Sequence, residues 1–199
     1  MRAFVLLARK ARTTPDFELN DLPGSGGRLD LVARCVTQAL WLSHKLREDT
    51  CFYAVLCGPR NPPKSIAFFA PSLRRVSPDE RNIGSWIKKA LEKSEKEKSK
   101  DWLFVQPGIA IAKIGLIKLL EELKSDFTFY VLHEKGEKIE SVEFASNPCF
   151  ILGDHLGIPK KIENHVVKKF KAKKVSLGKQ SYLASSCIAI VHHELDKRK

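Results

Sequence analysis

Short apolar runs separated by turn-forming residues recur along the chain, and their length is typical of buried strands. These runs lie at residues 3–8, 51–57, 65–70, 108–113, 127–132, 149–152 and 174–177. Between them, helical spacing or charge placement predicts helices at residues 28–44, 79–98, 116–124 and 181–195. Strands that alternate with helices favour an α/β fold with a largely parallel sheet. No internal repeat or low-complexity linker interrupts the pattern, which predicts one domain over residues 1–199.

Three of the predicted strands end in loops that contain glycine or lie beside it, at Leu132–His133, Gly153–Asp154 and Leu177–Gly178. Open parallel sheets bind ligands beyond the carboxyl ends of their strands, where glycine lets the backbone approach a ligand closely. The loops therefore favour a nucleotide-like ligand, although glycines that simply end strands would give the same pattern. The chain has neither a dinucleotide-binding G-x-G-x-x-G motif nor a P-loop.

The charge balance points to a polyanionic partner, unless it reflects a general charge bias of the source. The 199 residues carry 35 Lys and Arg against 23 Asp and Glu, a formal net charge of +12. Lysines are concentrated between residues 160 and 174, where Glu163 is the only acid. Phe170 is the only aromatic residue there, so the segment favours contacts to the phosphates of structured RNA over base stacking. A solvated face of the protein is the alternative.

Cysteine and histidine spacing predicts neither disulfides nor a metal site. The five cysteines include no C-x-x-C pair, and His192 and His193 are adjacent on a predicted helix. Cys187 falls inside the last apolar helix, where a cysteine is expected to be a small buried hydrophobe. The apolar runs are shorter than the ~20 residues of a membrane span, and the first residues do not have the pattern of a signal peptide. We therefore expect a soluble, cytoplasmic protein.

Five segments in order resemble a known family. They are DLPGSGGRLDLVARC (21–35), FYAVLCG (52–58), VSPDERNI (76–83), FILGDHLG (150–157) and VSLG (175–178). The chain resembles, over nearly its whole length, the archaeal tRNA pseudouridine-54 N1-methyltransferases, the TrmY family of the SPOUT superfamily. The resemblance implies a SPOUT fold with a mainly parallel central sheet, helices on both faces and a deep C-terminal trefoil knot at about 127–199.

The same resemblance implies that the knot binds S-adenosylmethionine in a bent conformation and that the protein is a homodimer with its site near the subunit interface. It assigns to the cofactor pocket the three strand-end loops and one residue of the last helix. These residues are Leu132, Gly153, Ser176, Leu177, Gly178, Lys179, Gln180, Ser181 and Cys187. The resemblance thus adds a pocket role for Cys187 to its expected packing role. The loop after Leu177 is the part of the pattern that varies.

Methylation at N1 of pseudouridine requires the loss of the N1 proton, and a nearby carboxylate can accept this proton or orient the base. Asp30 is the catalytic candidate, because Arg28 and Asp30 resemble the Arg-and-Asp element of the related rRNA enzymes; a charge that stabilises a helix N-terminus is the alternative. Arg28 would hold a phosphate or base carbonyl. The candidate RNA contacts are Arg34, Arg81, Lys160 and Lys161.

The resemblance predicts an S-adenosylmethionine-dependent enzyme that methylates N1 of pseudouridine 54 in tRNA. One alternative is N1-methylation of a pseudouridine in small-subunit rRNA. The other is a non-catalytic RNA-binding or assembly factor of the same fold, which would not bind S-adenosylmethionine.

Overall fold

The computed structural model describes residues 1–97, 99 and 101–198. The strands of this described part are β1 Arg2–Ala8, β2 Thr50–Leu56, β3 Lys64–Phe69, β4 Leu103–Gln106, β5 Ile109–Ala112, β6 Thr128–Lys138, β7 Pro148–Gly153 and β8 Lys173–Ser176. The helices are α1 Leu29–Leu40, α2 Glu80–Lys96, α3 Leu116–Leu123, α4 Lys160–Phe170 and α5 Ala184–Asp196, with two short 3₁₀ turns at Ala70–Ser72 and Ile139–Ser141.

The strands form a single mixed sheet in the order β4-β5-β3-β2-β1-β7-β6-β8. Neighbours from β2 to β8 in this order pair in parallel, whereas β3, β5 and β4 extend the sheet with antiparallel pairs. Because the five parallel strands point the same way, their carboxyl ends meet at one side of the sheet. We call this side the C-terminal edge; it is formed by Leu56, Ala8, Gly153, Leu132 and Ser176.

Helices cover both faces of the sheet, which explains why the strands are apolar along their whole length. In β1, Phe4 and Leu6 pack into a core shared with α1, α2 and α5, while the alternating residues Val5 and Leu7 pack into a second core with α3 and α4. All seven residues of β1 are buried. The predicted α/β fold with a mainly parallel sheet and helices on both faces is confirmed.

Two elements were not predicted from the sequence. Helix α4 occupies the lysine-rich segment, and its apolar residues Ile162, Val166 and Phe170 face the second core at helical spacing. Strand β4 is a short edge strand whose pairing with β5 shifts register between Phe104 and Gln106.

Strand β6 also differs from the prediction, because it does not end at Leu132. It resumes after a bulge, so that both Leu132 and Glu137 are paired with Val175. A Cβ at Gly136 would lie 2.5 Å from the Val175 nitrogen, so the bulge needs a glycine there.

Helix ends shift by a few residues: α1 ends at Leu40 and α5 begins at Ala184. The expected end of the second helix, Lys98, lies outside the described residues, and α2 ends at Lys96. The knot at 127–199 and the single-domain boundary stay predictions. No helix in the described part of the chain combines the length and apolarity needed to cross a bilayer.

Candidate functional site

Strand pairing brings the predicted cofactor residues of three loops together at the C-terminal edge. Val131 is in register with Ile151, so Leu132, at the bulge of β6, lies beside Gly153 at the end of β7. Leu132 is in register with Val175 on its other side, which places Ser176 next to it. The predicted loops after β7 and β8 therefore lie side by side at this edge, whereas the loop predicted at Leu132–His133 is a bulge within β6.

The loop after β7 is held against β1 by its first side chain. The Asp154 carboxylate accepts hydrogen bonds from the backbone nitrogens of Arg9 (2.7 Å) and Leu156 (2.9 Å). A Cβ added to Gly153 would lie 2.5 Å from the carbonyl carbon of Gly157. The close approach of two backbone segments thus requires glycine at residue 153 independently of any ligand.

The loop after β8 turns around Ser176. Its hydroxyl oxygen accepts a hydrogen bond from the Gly178 nitrogen at 3.2 Å, and Gly178 has a φ of 117°, a conformation that favours glycine. The next residues, Lys179, Gln180 and Ser181, are exposed. Their side chains are therefore free of the core, and the backbone is the ordered part of the turn.

Cys187 lies in the first turn of α5, directly after this loop, and is half-buried against the core. Its Sγ is 3.9 Å from the carbonyl oxygen of Tyr182. Burial raises the pKa of the Cys187 thiol, so the group is neutral at physiological pH. This position agrees with the packing role expected for Cys187, and its contact with a cofactor stays a prediction.

The N-terminus of α1 carries a compact cluster of one acid and two arginines. Asp30 is only 2% exposed. Its Oδ1 accepts a hydrogen bond from Nε of Arg28 (3.0 Å), and its Oδ2 accepts from Nη2 of Arg28 (3.1 Å) and Nη2 of Arg34 (2.5 Å). Arg28 itself adopts left-handed backbone angles, with φ 72° and ψ 32°.

These contacts decide the charge state of Asp30. Burial alone would raise its pKa, but the hydrogen bonds from Arg28 and Arg34 outweigh burial, and the pKa of Asp30 lies below its ordinary value. The pKa of Arg28 is raised, chiefly by its hydrogen bond to Asp30, with a further contribution from the charge of Asp154. Asp30 is thus a weakly basic anion that fixes Arg28, and Arg28 connects α1 electrostatically with the loop after β7.

The predicted RNA contacts lie on three helices, in the second turn of α1 and in the first turns of α2 and α4. Arg34 also forms an ion pair with Glu80 of α2 (3.1 Å), a residue that the sequence reasoning did not single out. Arg81 follows Glu80 and is exposed. Lys160 and Lys161 are exposed at the start of α4. A single acid, Glu80, therefore links the two arginine-bearing helices.

The lysine-rich segment is not one surface. Lys160 and Lys161 begin α4 near the C-terminal edge, whereas Lys168 and Lys169 lie in its last turn. Lys169 is paired with Glu121, and Lys174 with Glu163. The described residues include no group of three or more His, Cys, Asp or Glu side chains arranged to hold a metal ion.

Comparison with known proteins decides the family. A family model described as "Putative SAM-dependent RNA methyltransferase" matches residues 1–199. The chain belongs to this family. Relatives named tRNA (pseudouridine(54)-N(1))-methyltransferase include one from Methanocaldococcus jannaschii, 47% identical over 100% of this chain and 98% of its own length. Another, from Thermococcus kodakarensis, is 43% identical over 98% of this chain and 99% of its own length.

Solved structures support the family's fold. The crystal structure of Archaeoglobus fulgidus Nep1 bound to S-adenosylhomocysteine aligns with a TM-score of 0.68, covering 98% of this chain and 97% of that one. Sequence identity is 15%. This likeness shows that the two chains share their fold.

Proposed function

We propose that this methyltransferase uses S-adenosylmethionine to methylate N1 of the pseudouridine at position 54 of tRNA. The shared name of relatives 42–47% identical over nearly full length supports the substrate. The observation that carries the proposal in this molecule is the Arg28–Asp30 pair, fixed at the same edge where β7 and β8 end and β6 has its bulge.

The C-terminal edge fits the cofactor. Gly157 and Gly178 have φ values of 66° and 117°, and no atom lies within 4 Å of where a Cβ would be. The two loops therefore border open space with bare backbone, as a nucleoside requires. When bound, S-adenosylmethionine supplies an electrophilic methyl group. The residues that would hold it are Leu132, Gly153, Ser176, Leu177, Gly178, Lys179, Gln180, Ser181 and Cys187.

In this proposal Arg28 stabilises charge on the target base. Loss of the N1 proton leaves negative charge that spreads to the ring carbonyl oxygens, and a fixed guanidinium can stabilise this charge. Asp30 is a positioning residue, because both of its oxygens are occupied by arginine and its pKa is low. The N1 proton would pass to water, and the N1 lone pair would form the new bond to the methyl carbon. The methyl–sulfur bond would break in the same step, and its electron pair would leave with the thioether sulfur of S-adenosylhomocysteine.

We propose that tRNA phosphates contact Arg34, Arg81, Lys160 and Lys161. The side chain of Arg34 is 39% exposed, so its guanidinium can contact RNA while it holds Asp30 and Glu80. The lysines at the start of α4 lie after the loop of Asp154. Lys160 and Lys161 thus follow the open backbone of Gly157 directly in the chain.

We further propose a homodimer that acts in the cytoplasm, where its tRNA substrate is used. Leu183 (70% exposed), Tyr182 (45%) and Leu156 (42%) lie on the loops that leave β8 and β7. Clustered apolar side chains next to a site are typical of an interface. Sedimentation velocity should show a dimer for the wild type and a monomer for Leu183→Lys; a monomeric wild type would contradict this proposal.

A methyl-transfer assay tests the function. Labelled S-adenosylmethionine is offered with matched tRNA transcripts that carry uridine or pseudouridine at position 54, and with an rRNA helix fragment. We expect transfer to the pseudouridine tRNA alone. Transfer to the rRNA fragment alone would assign the rRNA reaction, and cofactor binding without transfer to any of the three RNAs would contradict the proposed substrate.

A further inference from the structure

A cavity of about 590 Å³ lies away from the strand-end loops. Its lining residues come from the loop before β3, the end of α2 and the end of β5: Asn61, Pro62, Pro63, Lys64, Ser94, Glu95 and Lys113. The proposed methyl transfer uses none of them. The cavity therefore raises the question of why a lysine and a serine are buried in its wall.

Lys64 is the first anomaly in this cavity. Only 2% of the residue is exposed, and in the described part of the chain no acid lies within ion-pair distance of its ammonium group. Burial lowers the pKa of Lys64, Glu95 partly offsets this effect, and the charge of Lys113 adds to it. Lysines this deeply buried are ordinarily paired with an acid, and Lys64 instead lines the cavity.

Ser94 is the second unusual residue in the wall of this cavity. It is 1% exposed, and its Oγ has no hydrogen-bond partner among the described residues. A buried hydroxyl without a hydrogen-bond partner carries an uncompensated desolvation cost. A hydroxyl and two ammonium groups, those of Lys64 and Lys113, thus line one cavity together with the acid Glu95. The Lys113 ammonium also donates to the carbonyl oxygen of Glu97 at 3.0 Å, which leaves its other hydrogens for a ligand. These three groups can donate hydrogen bonds to an oxyanion.

The cavity opens along the C-terminal edge. Lys64 is in register with Leu56, the last residue of β2, so it lies about 10 Å along the edge from β1 if strands are spaced ~4.8 Å apart. The loop before Lys64 is tied to the loop that carries Arg28, because the Asn61 nitrogen donates to the Thr13 hydroxyl at 3.0 Å.

Two further arginines belong to the two loops that this hydrogen bond joins. Arg12 and Arg60 both form ion pairs with Asp16, and Arg60 is strongly exposed. The edge therefore carries positive charge from the cavity to Arg28. A polyanion that reaches Arg28 along this edge would pass the cavity mouth, which favours an RNA backbone over a free small anion.

We propose that the cavity formed by Lys64, Ser94 and Lys113 binds a backbone phosphate of the tRNA substrate, beyond the nucleotide that is methylated. This inference rests on the proposed function for its RNA. The phosphate would accept hydrogen bonds from the two ammonium groups and the serine hydroxyl. It would thereby supply the counter-ion that Lys64 does not have in the free protein.

Lys64→Met tests the proposal, because it keeps the buried stem and removes the charge. We expect tRNA affinity to fall about five- to tenfold and the slope of log affinity against log salt to decrease by about 1, as for one lost phosphate contact. S-adenosylmethionine affinity should not change, and the urea midpoint of the free protein should not fall. Ser94→Ala should weaken tRNA binding in the same direction without changing the salt slope.

Lys124→Met is the matched control, since it removes the same charge at the opposite edge of the sheet, between α3 and β6. Equal losses in Lys64→Met and Lys124→Met would overturn the proposal. Stabilisation of the wild type by inorganic phosphate, with unchanged tRNA affinity in Lys64→Met, would assign the cavity to a free anion instead. Direct tRNA binding is read without turnover, so failure of the methyl-transfer assay does not mask either result.

Discussion

Arg28 and Asp30 form a two-point contact in which Nε and Nη2 of the arginine donate to the two carboxylate oxygens at 3.0 and 3.1 Å. The residues are two apart in the chain, and the left-handed backbone of Arg28 directs its side chain back onto the helix start. Asp30 is almost fully buried, whereas the side chain of Arg28 is 37% exposed. The acid is thus the fixed support and the arginine the group that can reach a substrate.

Asp30→Asn tests this division of roles. The amide keeps one acceptor but turns an N–H₂ toward a guanidinium, so Arg28 loses its fixed position. We expect kcat to fall about 100-fold, the size of the effect of a small misplacement in a site, while S-adenosylmethionine affinity is unchanged. Single-turnover methyl transfer and calorimetric cofactor titration measure the two quantities.

The pH profile separates positioning from proton transfer. If Asp30 positions Arg28, the rates of Asp30→Asn and wild type should run parallel between pH 6 and 9. If Asp30 instead accepts the N1 proton, the variant should gain rate steeply with hydroxide while the wild type does not. An unchanged kcat would remove Asp30 from the reaction altogether.

His192 predicts a pH dependence of stability far from the site. Its Nε2 lies 3.0 Å from the Ala39 carbonyl oxygen and its Nδ1 3.0 Å from Nη1 of Arg2. A carbonyl only accepts and a guanidinium only donates, so the ring is neutral with its proton on Nε2. Burial, with the charges of Arg47 and Arg2, lowers the pKa of His192 to about 3.

The unfolded chain binds a proton at this histidine near pH 6.5, but the folded chain does so only near pH 3. His192 therefore contributes stability that is fully present above pH 6.5 and is lost as the pH falls toward 3, by up to about 1.4 kcal/mol per pH unit. Urea denaturation of wild type and His192→Gln at pH 7, 6 and 5 should show a smaller decline in the variant. Parallel declines would contradict a neutral His192.

Much of the fold could be predicted because strands buried on both faces are apolar throughout. The run at 3–8 corresponds to β1, Arg2–Ala8. Helix α4 was missed because its many lysines hid the spacing of Ile162, Val166 and Phe170, which is a usable signal. Strand β4 carried little signal, because an edge strand with half-exposed residues has no consistent apolar pattern.

The site was predictable in its backbone more than in its side-chain contacts. Strand-end glycines indicated the edge, but no local pattern could show that Asp30 would be enclosed by Arg28 and Arg34. The left-handed Arg28 and the link from Arg34 to Glu80, 46 residues away, depend on tertiary packing. The lysine-rich segment was expected to be one surface and is split between the two ends of α4.

Gly153→Ala should disrupt the cofactor site through the backbone. Its Cβ would lie 2.5 Å from the Gly157 carbonyl carbon and 2.7 Å from the Ile158 nitrogen, so the loop must move. We expect S-adenosylmethionine affinity to fall more than tenfold, measured by calorimetry. The matched control is Gly84→Ala in α2, whose Cβ meets only the flexible Leu22 side chain, with unchanged affinity. Equal affinities in both variants would separate the loop after β7 from the cofactor.

The two ends of α4 should contribute differently to tRNA binding. Lys160 and Lys161 lie about 12 Å from Lys168 and Lys169 along the helix axis, given a rise of ~1.5 Å per residue. Lys160→Gln/Lys161→Gln should lower the log–log salt slope of tRNA affinity by up to about 2. Lys168→Gln/Lys169→Gln removes the same charge from the far end, where Lys169 already pairs with Glu121, and should lower the slope less.

Filter binding between 50 and 300 mM salt, at about tenfold steps of RNA concentration, measures both slopes. The same decrease in both variants would mean that α4 acts only through net charge, and its N-terminal lysines would no longer belong to the RNA surface.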